Sequence, residues 1–180
     1  MMKNTNVTLV PLTTADREQF ILDNQWAFQY GALEEFGKRD DHLDAQGEII
    51  SRETIENCID SPENETYRIR LNGKNVGGVV LKIDKQTHHN HLELLFVSPE
   101  FHSRGIGYGA WEAIEMLHPE TEIWETCTPY FEKRNIHFYI NKCGFHAAEF
   151  FGRFHADPND PDMENDEGPD EMFRFIKVMR

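Results

Sequence analysis

Residues 96–109 read Phe-Val-Ser-Pro-Glu-Phe-His-Ser-Arg-Gly-Ile-Gly-Tyr-Gly, and they join a strand-like apolar segment to a helical one. A glycine-rich turn between a strand and a helix leaves backbone N–H groups unpaired at the helix N-terminus, where the helix dipole also favours negative charge. Three glycines in residues 105–109 allow a ligand to approach closely, and Arg104 adds a cation beside them. The stretch therefore predicts a site for a pyrophosphate group.

The segments on either side of this turn predict a mixed α/β fold with the element order β-α-α-β-β-β-α-β-α-β-β. The predicted strands cover residues 6–11, 66–71, 75–82, 91–97, 121–126, 145–154 and 172–178, and the predicted helices cover 13 to about 30 or 36, 51–59, 111–117 and 132–142. Asn72-Gly73 supplies a two-residue hairpin turn. Strand, glycine turn and helix indicate a right-handed crossover, so strands 91–97 and 121–126 should be parallel. The three strands before the turn argue against a Rossmann dinucleotide site.

Length and composition limit the classes of protein that fit. The 180 residues suit one domain over residues 1–180, and their formal charge of −14 disfavours nucleic acid as a partner. No segment has the apolar length of a membrane helix or of a secretion signal, and the three cysteines are far apart, so we expect a cytoplasmic protein without membrane contact. Eight acidic residues between 157 and 171 predict a solvated acidic loop at about 156–171. Asn165 stands where a calcium loop requires Gly.

Two motifs in the chain resemble those of the GNAT superfamily of acyl-CoA-dependent N-acetyltransferases. The first motif in that family is V-x-P at a strand end, followed by Q/R-x-x-G-x-G/A. Val97-Ser98-Pro99 places it at residues 102–107, with His102 where the family has Gln or Arg. A second register over residues 104–109 matches letter for letter but lies two residues further from Val97, so we prefer the first.

The second motif, residues 134–145, is similar to the family's N…Y…GF segment. Tyr139 lies five residues before Gly144, one more than the family's usual spacing. In a regular α-helix this offset would turn the tyrosine side chain by about 100°.

The resemblance implies a GNAT-like fold whose sheet splays apart between strands 91–97 and 121–126, with acetyl-CoA as cosubstrate and no metal. It implies that the phosphates lie on the turn and that a backbone N–H near Leu95 or Phe96 contacts the thioester. The cofactor-binding residues would be Leu95, Phe96, Val97, His102, Ser103, Arg104, Gly105, Ile106, Gly107, Tyr108, Gly109 and Asn135.

The resemblance also implies direct acetyl transfer to an amine, with Tyr139 as the acid that protonates the departing CoA thiolate. Packing in an aromatic core is the alternative role for Tyr139. His91 and Glu93 are two residues apart and share a face of their strand, so either one, or a water that both hold, would take the amine's proton. A solvent-facing strand end is the alternative for His91. Glu93, within an apolar strand, would need water or a partner.

Two other chemistries have candidate residues in this chain, metal binding and covalent catalysis. His88, His89 and His91 suggest a metal site, but strand alternation separates His88 from the other two, and we expect no acidic ligand beside them. Cys127 and Cys143 lack a neighbour that would activate a thiol for covalent catalysis.

Trp26, Tyr30 and Glu34 combine rings with a carboxylate and are the predicted contacts of the acceptor, a small-molecule amine or a peptide amine. The negative charge favours a cationic acceptor. The alternatives are a non-catalytic acyl-CoA-binding or regulatory module and an interaction domain whose acidic loop docks a basic partner. A homodimer could form along the edge of the last two strands.

Overall fold

The structure, a computed structural model, describes residues 6–36, 47–159 and 171–180, with the side chains of residues 34–36 excepted. The acidic segment at 160–170 lies outside these residues. The strands are β1 Val7–Pro11, β2 Asn64–Leu71, β3 Lys74–Lys82, β4 His89–Val97, β5 Ile123–Pro129, β6 His146–Phe151 and β7 Met172–Val178. The helices are α1 Arg17–Phe36, α2 Arg52–Asp60, α3 Ile106–Leu117 and α4 Lys133–His137, and α4 continues into a π turn, Phe138–Lys142.

The seven strands form one mixed sheet in the order β1-β2-β3-β4-β5-β7-β6. Every neighbouring pair is antiparallel except β4 and β5, which are parallel, as predicted. The predicted element order and fold class are confirmed. None of the helices in the described ranges combines the length and the apolar character needed to cross a bilayer.

Local sequence signals account for several element boundaries. Asn72 and Gly73 have φ angles of 52° and 79°, the left-handed pair that a tight hairpin between β2 and β3 requires. The Ser51 hydroxyl accepts a hydrogen bond from the Thr54 amide at 3.0 Å and caps α2.

Apolar clusters cover both faces of the sheet. On one face, Phe20 of α1 and Ile55 of α2 pack with Leu94 of β4. On the other face, Trp111 of α3 packs with Leu92 of β4. Leu92 and Leu94 face opposite sides, although they are two residues apart, because Val80 pairs with Leu94 while Leu81 pairs with Leu92. Glu93 is therefore the extra residue of a β-bulge.

β4 and β5 separate after a short paired stretch. Their ladder joins residues 89–91 to residues 123–125. The Thr126 hydroxyl then donates to the Leu92 carbonyl oxygen at 2.9 Å. Beyond that bond the strands part, as predicted, and a cavity lies beside the end of β4.

Candidate functional site

The cavity has a volume of about 1120 Å³ and is bounded by α1, the end of β4, the turn before α3, and α4 with its π turn. Most of the residues predicted to bind a cofactor line it, and so does the predicted acid. They are Leu95, Phe96, Val97, His102, Ser103, Gly105, Ile106, Gly107, Tyr108, Asn135 and Tyr139. Polar or charged residues that sequence reasoning had not assigned to the site also line it: Glu112, Glu132, Arg134, His137, Asn141 and Lys142.

The turn before α3 presents unpaired amides to this cavity. Gly105 has a φ of 75° and caps α3, which begins at Ile106. The first amide that the helix satisfies is that of Gly109, which donates to the Gly105 carbonyl oxygen at 3.0 Å. The amides of residues 106–108 therefore have no partner within the helix and are available to an anion.

Two predicted contacts lie away from the cavity lining. Gly109 is buried within α3, and its amide is already used. The Arg104 guanidinium is 5.5 Å from the ring centre of Phe101, and Arg104 is exposed. Because His102 lines the cavity and Arg104 does not, the structure favours the motif register that begins at His102.

His102 joins three elements at the mouth of the cavity. Its Nε2 lies 2.7 Å from the Val97 carbonyl oxygen, and its Nδ1 lies 3.2 Å from Nη1 of Arg134. Because a guanidinium only donates, Nδ1 is the acceptor and the ring proton is on Nε2. The Tyr30 ring contacts the imidazole edge-on, with centroids 5.9 Å apart. Burial lowers the pKa of His102, the Val97 carbonyl opposes that shift and the Arg134 charge adds to it.

Tyr139 reaches the vertex at which β4 and β5 part. Its side chain is 7% exposed, and burial raises the pKa of the phenol, while a hydrogen bond with the Thr126 side chain opposes the shift. The hydroxyl therefore stays protonated and can donate. The π turn supplies the extra residue between Tyr139 and Gly144, because the Cys143 amide bonds to Phe138, five residues back, at 3.0 Å.

Sequence and structure comparisons agree on the family. A profile of the acetyltransferase (GNAT) family matches residues 24–145. The chain belongs to the acetyltransferase (GNAT) family. It is 44% identical over 190 residues to the uncharacterized protein YrkN of Bacillus subtilis (strain 168), a match that covers 99% of this chain and 98% of that protein. The predicted enzyme class is confirmed by this family membership.

Solved structures with the same fold include relatives that hold CoA. PaiA N-acetyltransferase from Thermoplasma acidophilum, in complex with coenzyme A, superposes with a TM-score of 0.66 at 14% identity, covering 97% of this chain and 99% of that one. Spermidine N-acetyltransferase from Vibrio cholerae, in complex with CoA and spermine, gives a TM-score of 0.64 at 14% identity, covering 96% and 95%.

The predicted proton acceptors of this GNAT acetyltransferase lie outside the cavity lining, on the sheet face that carries α1 and α2. His91 is half-buried; burial lowers its pKa, and the carboxylates of Glu125 and Glu93 oppose the shift. Glu93 is exposed, because the bulge turns it out of the apolar strand, and it lines a shallow pocket with Cys58 and Lys82. The bulge thus gives Glu93 the contact with water that a carboxylate in an apolar strand needs.

The same face holds an acidic partner that strand alternation alone did not reveal. Glu125 pairs in register with His91, and its Oε2 lies 2.9 Å from Nε2 of His89. The expectation that no acidic ligand accompanies these histidines was therefore wrong. It failed because Glu125 comes from the neighbouring parallel strand, 34 residues after His91.

The cysteines of this GNAT acetyltransferase are poor nucleophiles. Desolvation raises the pKa of Cys127 to about 12, with the Glu125 and Asp157 carboxylates adding to the shift. Burial likewise raises the pKa of Cys143 to about 12. Since the thiolate is the reactive form, neither residue is set up for a covalent acyl intermediate near neutral pH.

The predicted acceptor contacts lie on α1. Trp26 and Tyr30 are 47% and 37% exposed, and Tyr30 lies against His102 at the cavity mouth. Three other α1 residues, Ala27, Phe28 and Gly31, line the cavity itself. The side chain of Glu34 is outside the described part of the chain.

Proposed function

We propose that this GNAT enzyme transfers an acetyl group from acetyl-CoA to a primary amine by direct attack in a ternary complex. The observation that carries the proposal is that one cavity is lined both by the helix N-terminus with unpaired amides at residues 106–108 and by Tyr139. Acetyl-CoA needs both: the anion-binding turn would hold its pyrophosphate, and the tyrosine hydroxyl would protonate the thiolate that leaves its thioester.

The residues divide the chemistry in the following way. The amides of residues 106–108 hold the pyrophosphate, and the end of β4 at Leu95 and Phe96 offers a backbone N–H to the thioester oxygen. The amine nitrogen attacks the thioester carbon, so a C–N bond forms while the C–S bond breaks. Tyr139 gives its proton to the thiolate. His91, Glu93 or a water held between them accepts the proton that the amine loses. Because neither side chain lines the cavity, that proton reaches them through water.

The acceptor in this proposal is a cationic amine of a small molecule or a peptide. The net charge of −14 attracts cations over long range. On the sheet face that carries His91, the carboxylates of Glu93 and Glu125 add local negative charge. The solved complex of Vibrio cholerae spermidine N-acetyltransferase, a protein of the same fold, with CoA and spermine supports a cationic acceptor.

Location and assembly are part of the same proposal. The cysteines, all free, agree with a reducing compartment such as the cytoplasm. β6 is at one edge of the sheet and could pair with a second copy across a two-fold axis.

Thermal unfolding with acetyl-CoA, with a desulfo analogue and with NAD tests the binding half of the proposal. Ligand that binds only the folded state should stabilise it by about 2.7 kcal/mol at a hundred times Kd. A shift caused by CoA species and absent with NAD is expected. Thiol release from acetyl-CoA, measured over a panel of amines, then tests transfer. CoA binding without turnover on any amine would favour the non-catalytic acyl-CoA-binding module.

A further inference from the structure

His89, His91 and Glu125 lie together on one face of the sheet, where β4 and β5 are still paired. The two histidines are two residues apart on β4, and Glu125 is the register partner of His91 on β5. Their imidazole rings stack with centroids 5.4 Å apart and planes 13° apart. One nitrogen from each ring and one Glu125 oxygen all lie within 4.8 Å of one another.

We propose that these three residues form a binding site for a divalent transition-metal ion of the Zn²⁺ class. Two imidazoles and one carboxylate are a donor set that Zn²⁺ prefers, and three protein ligands leave a fourth position for water or another ligand. Ligand atoms at about 2.0–2.2 Å from a tetrahedral ion are roughly 3.5 Å apart. Small side-chain rotations would bring the three groups from their present separation to that spacing.

The surroundings give the site a rigid base. Asn90, between the two histidines, is buried; its Nδ2 donates to the Thr121 hydroxyl at 2.8 Å, and its Oδ1 accepts from the Asp84 amide at 2.9 Å. These bonds fix the backbone from which both imidazoles project. Their own side chains keep room to move, because His89 is 39% exposed.

A cation next to the site orients its carboxylate. Nη1 of Arg174 lies 3.4 Å from Oε2 of Glu125, while Nε of the same guanidinium donates to Glu149 at 2.8 Å. Glu149 thus balances the Arg174 charge, which would otherwise oppose a second cation. Hydrogen bonds and ion pairs from residues that do not bind the metal themselves hold a ligating carboxylate in one orientation and tune metal affinity.

Occupancy of this site would have a consequence for the reaction, a step that rests on the proposed function. An ion on His91 takes the lone pair with which that residue would accept the amine's proton, and it adds positive charge to the face where a cationic acceptor would bind. Zn²⁺ should therefore inhibit acetyl transfer.

Calorimetric titration of the tag-free, EDTA-dialysed full chain with Zn²⁺ tests the site without CoA or amine. We expect one ion per chain, and His89→Asn and Glu125→Gln should each weaken binding by at least about tenfold. His146→Asn is the matched control, because His146 is an exposed histidine on β6 and, among the described residues, belongs to no group of potential metal ligands. It should bind as the wild type does.

Two results would overturn the proposal: no Zn²⁺ binding by the wild type, or binding that both His89→Asn and Glu125→Gln retain. Thermal midpoints in EDTA show whether each variant is folded, and Glu125→Gln keeps the shape of the side chain if His89→Asn fails to fold. Because binding is read without acetyl-CoA, its failure leaves the transferase proposal intact. Failure of transfer likewise leaves the metal site intact.

Discussion

The backbone amide of Cys143 bonds to the carbonyl oxygen of Phe138, five residues earlier, at 3.0 Å. This wide turn lets the chain place one more residue between Tyr139 and Gly144 than the family's usual spacing allows. Tyr139 consequently lines the cavity, instead of being turned by about 100° as a regular helix would require. The π turn thus compensates for the departure in the motif.

Tyr139→Phe should therefore slow acetyl transfer while leaving CoA affinity nearly intact. The phenyl ring keeps the packing against Phe145 and Phe175, and only the proton donor is lost. Loss of a general acid costs about 10²–10⁴-fold in rate. Single-turnover rates and CoA titrations on the same preparation measure both quantities. Tyr108→Phe removes a hydroxyl from the exposed side of the cavity and should change the rate little; equal rates in the two variants would remove Tyr139 from the mechanism.

A matched pair at Gly105 should separate the charge of the phosphate turn from its backbone conformation. Asn and Asp both tolerate a φ of 75°, and they have nearly the same shape. Gly105→Asp places a negative charge at the N-terminus of α3, which favours the helix but repels a pyrophosphate. Gly105→Asp should thus be at least as stable as Gly105→Asn and bind CoA much more weakly. Equal CoA affinity in calorimetry would contradict phosphate binding at this turn.

The features that could be predicted from the sequence are those set by local chemistry. Apolar periodicity gave the element order, and Asn72-Gly73 gave the hairpin, because a left-handed pair of residues is a property of two positions alone. The turn that lines the cavity was predicted for the same reason, because the strand, the glycines and the helix that form it follow one another directly in the sequence.

The features that could not be predicted depend on pairing between distant segments. The bulge at Glu93 is set by the register of β4 on β3, which alternation within residues 91–97 does not reveal. Glu125 joins His91 only through the parallel pairing of β4 with β5. The position of β7 between β5 and β6 likewise follows from tertiary pairing. The five-residue spacing of Tyr139 and Gly144 was a visible signal, but a π turn was needed to interpret it.

Arg68→Met should destabilise the fold by about 3 kcal/mol, at the lower end of the cost of breaking a buried ion pair. The Arg68 side chain is 2% exposed and joins β2 to Asp16, just before α1, at 2.6 Å, and to Asp23 of α1 at 2.9 Å. Both carboxylates keep some contact with water, which reduces the cost of leaving them without Arg68. Urea unfolding measures the change. Arg70→Met, two residues along the same strand, removes a hydrogen bond to Asn75 and should cost less; equal losses would show that the ion pairs contribute little.

His102 should make the folded state sensitive to acid. Its folded pKa is below the ordinary value of 6.5, so unfolding takes up a proton as the pH falls below 6.5. The free energy of unfolding is therefore highest above pH 6.5, and it decreases as the pH falls through the folded-state pKa of His102. His102→Gln retains a donor for the Val97 carbonyl and an acceptor for Arg134 but does not titrate. Its unfolding free energy, from urea titrations at pH 7.5 and 5.5, should fall less on acidification than that of the wild type.

His102→Ala, which loses both bonds, should be less stable than His102→Gln at either pH. Equal acid sensitivity in the wild type and His102→Gln would assign the effect to other groups, of which His91, also with a lowered pKa, is the first to examine.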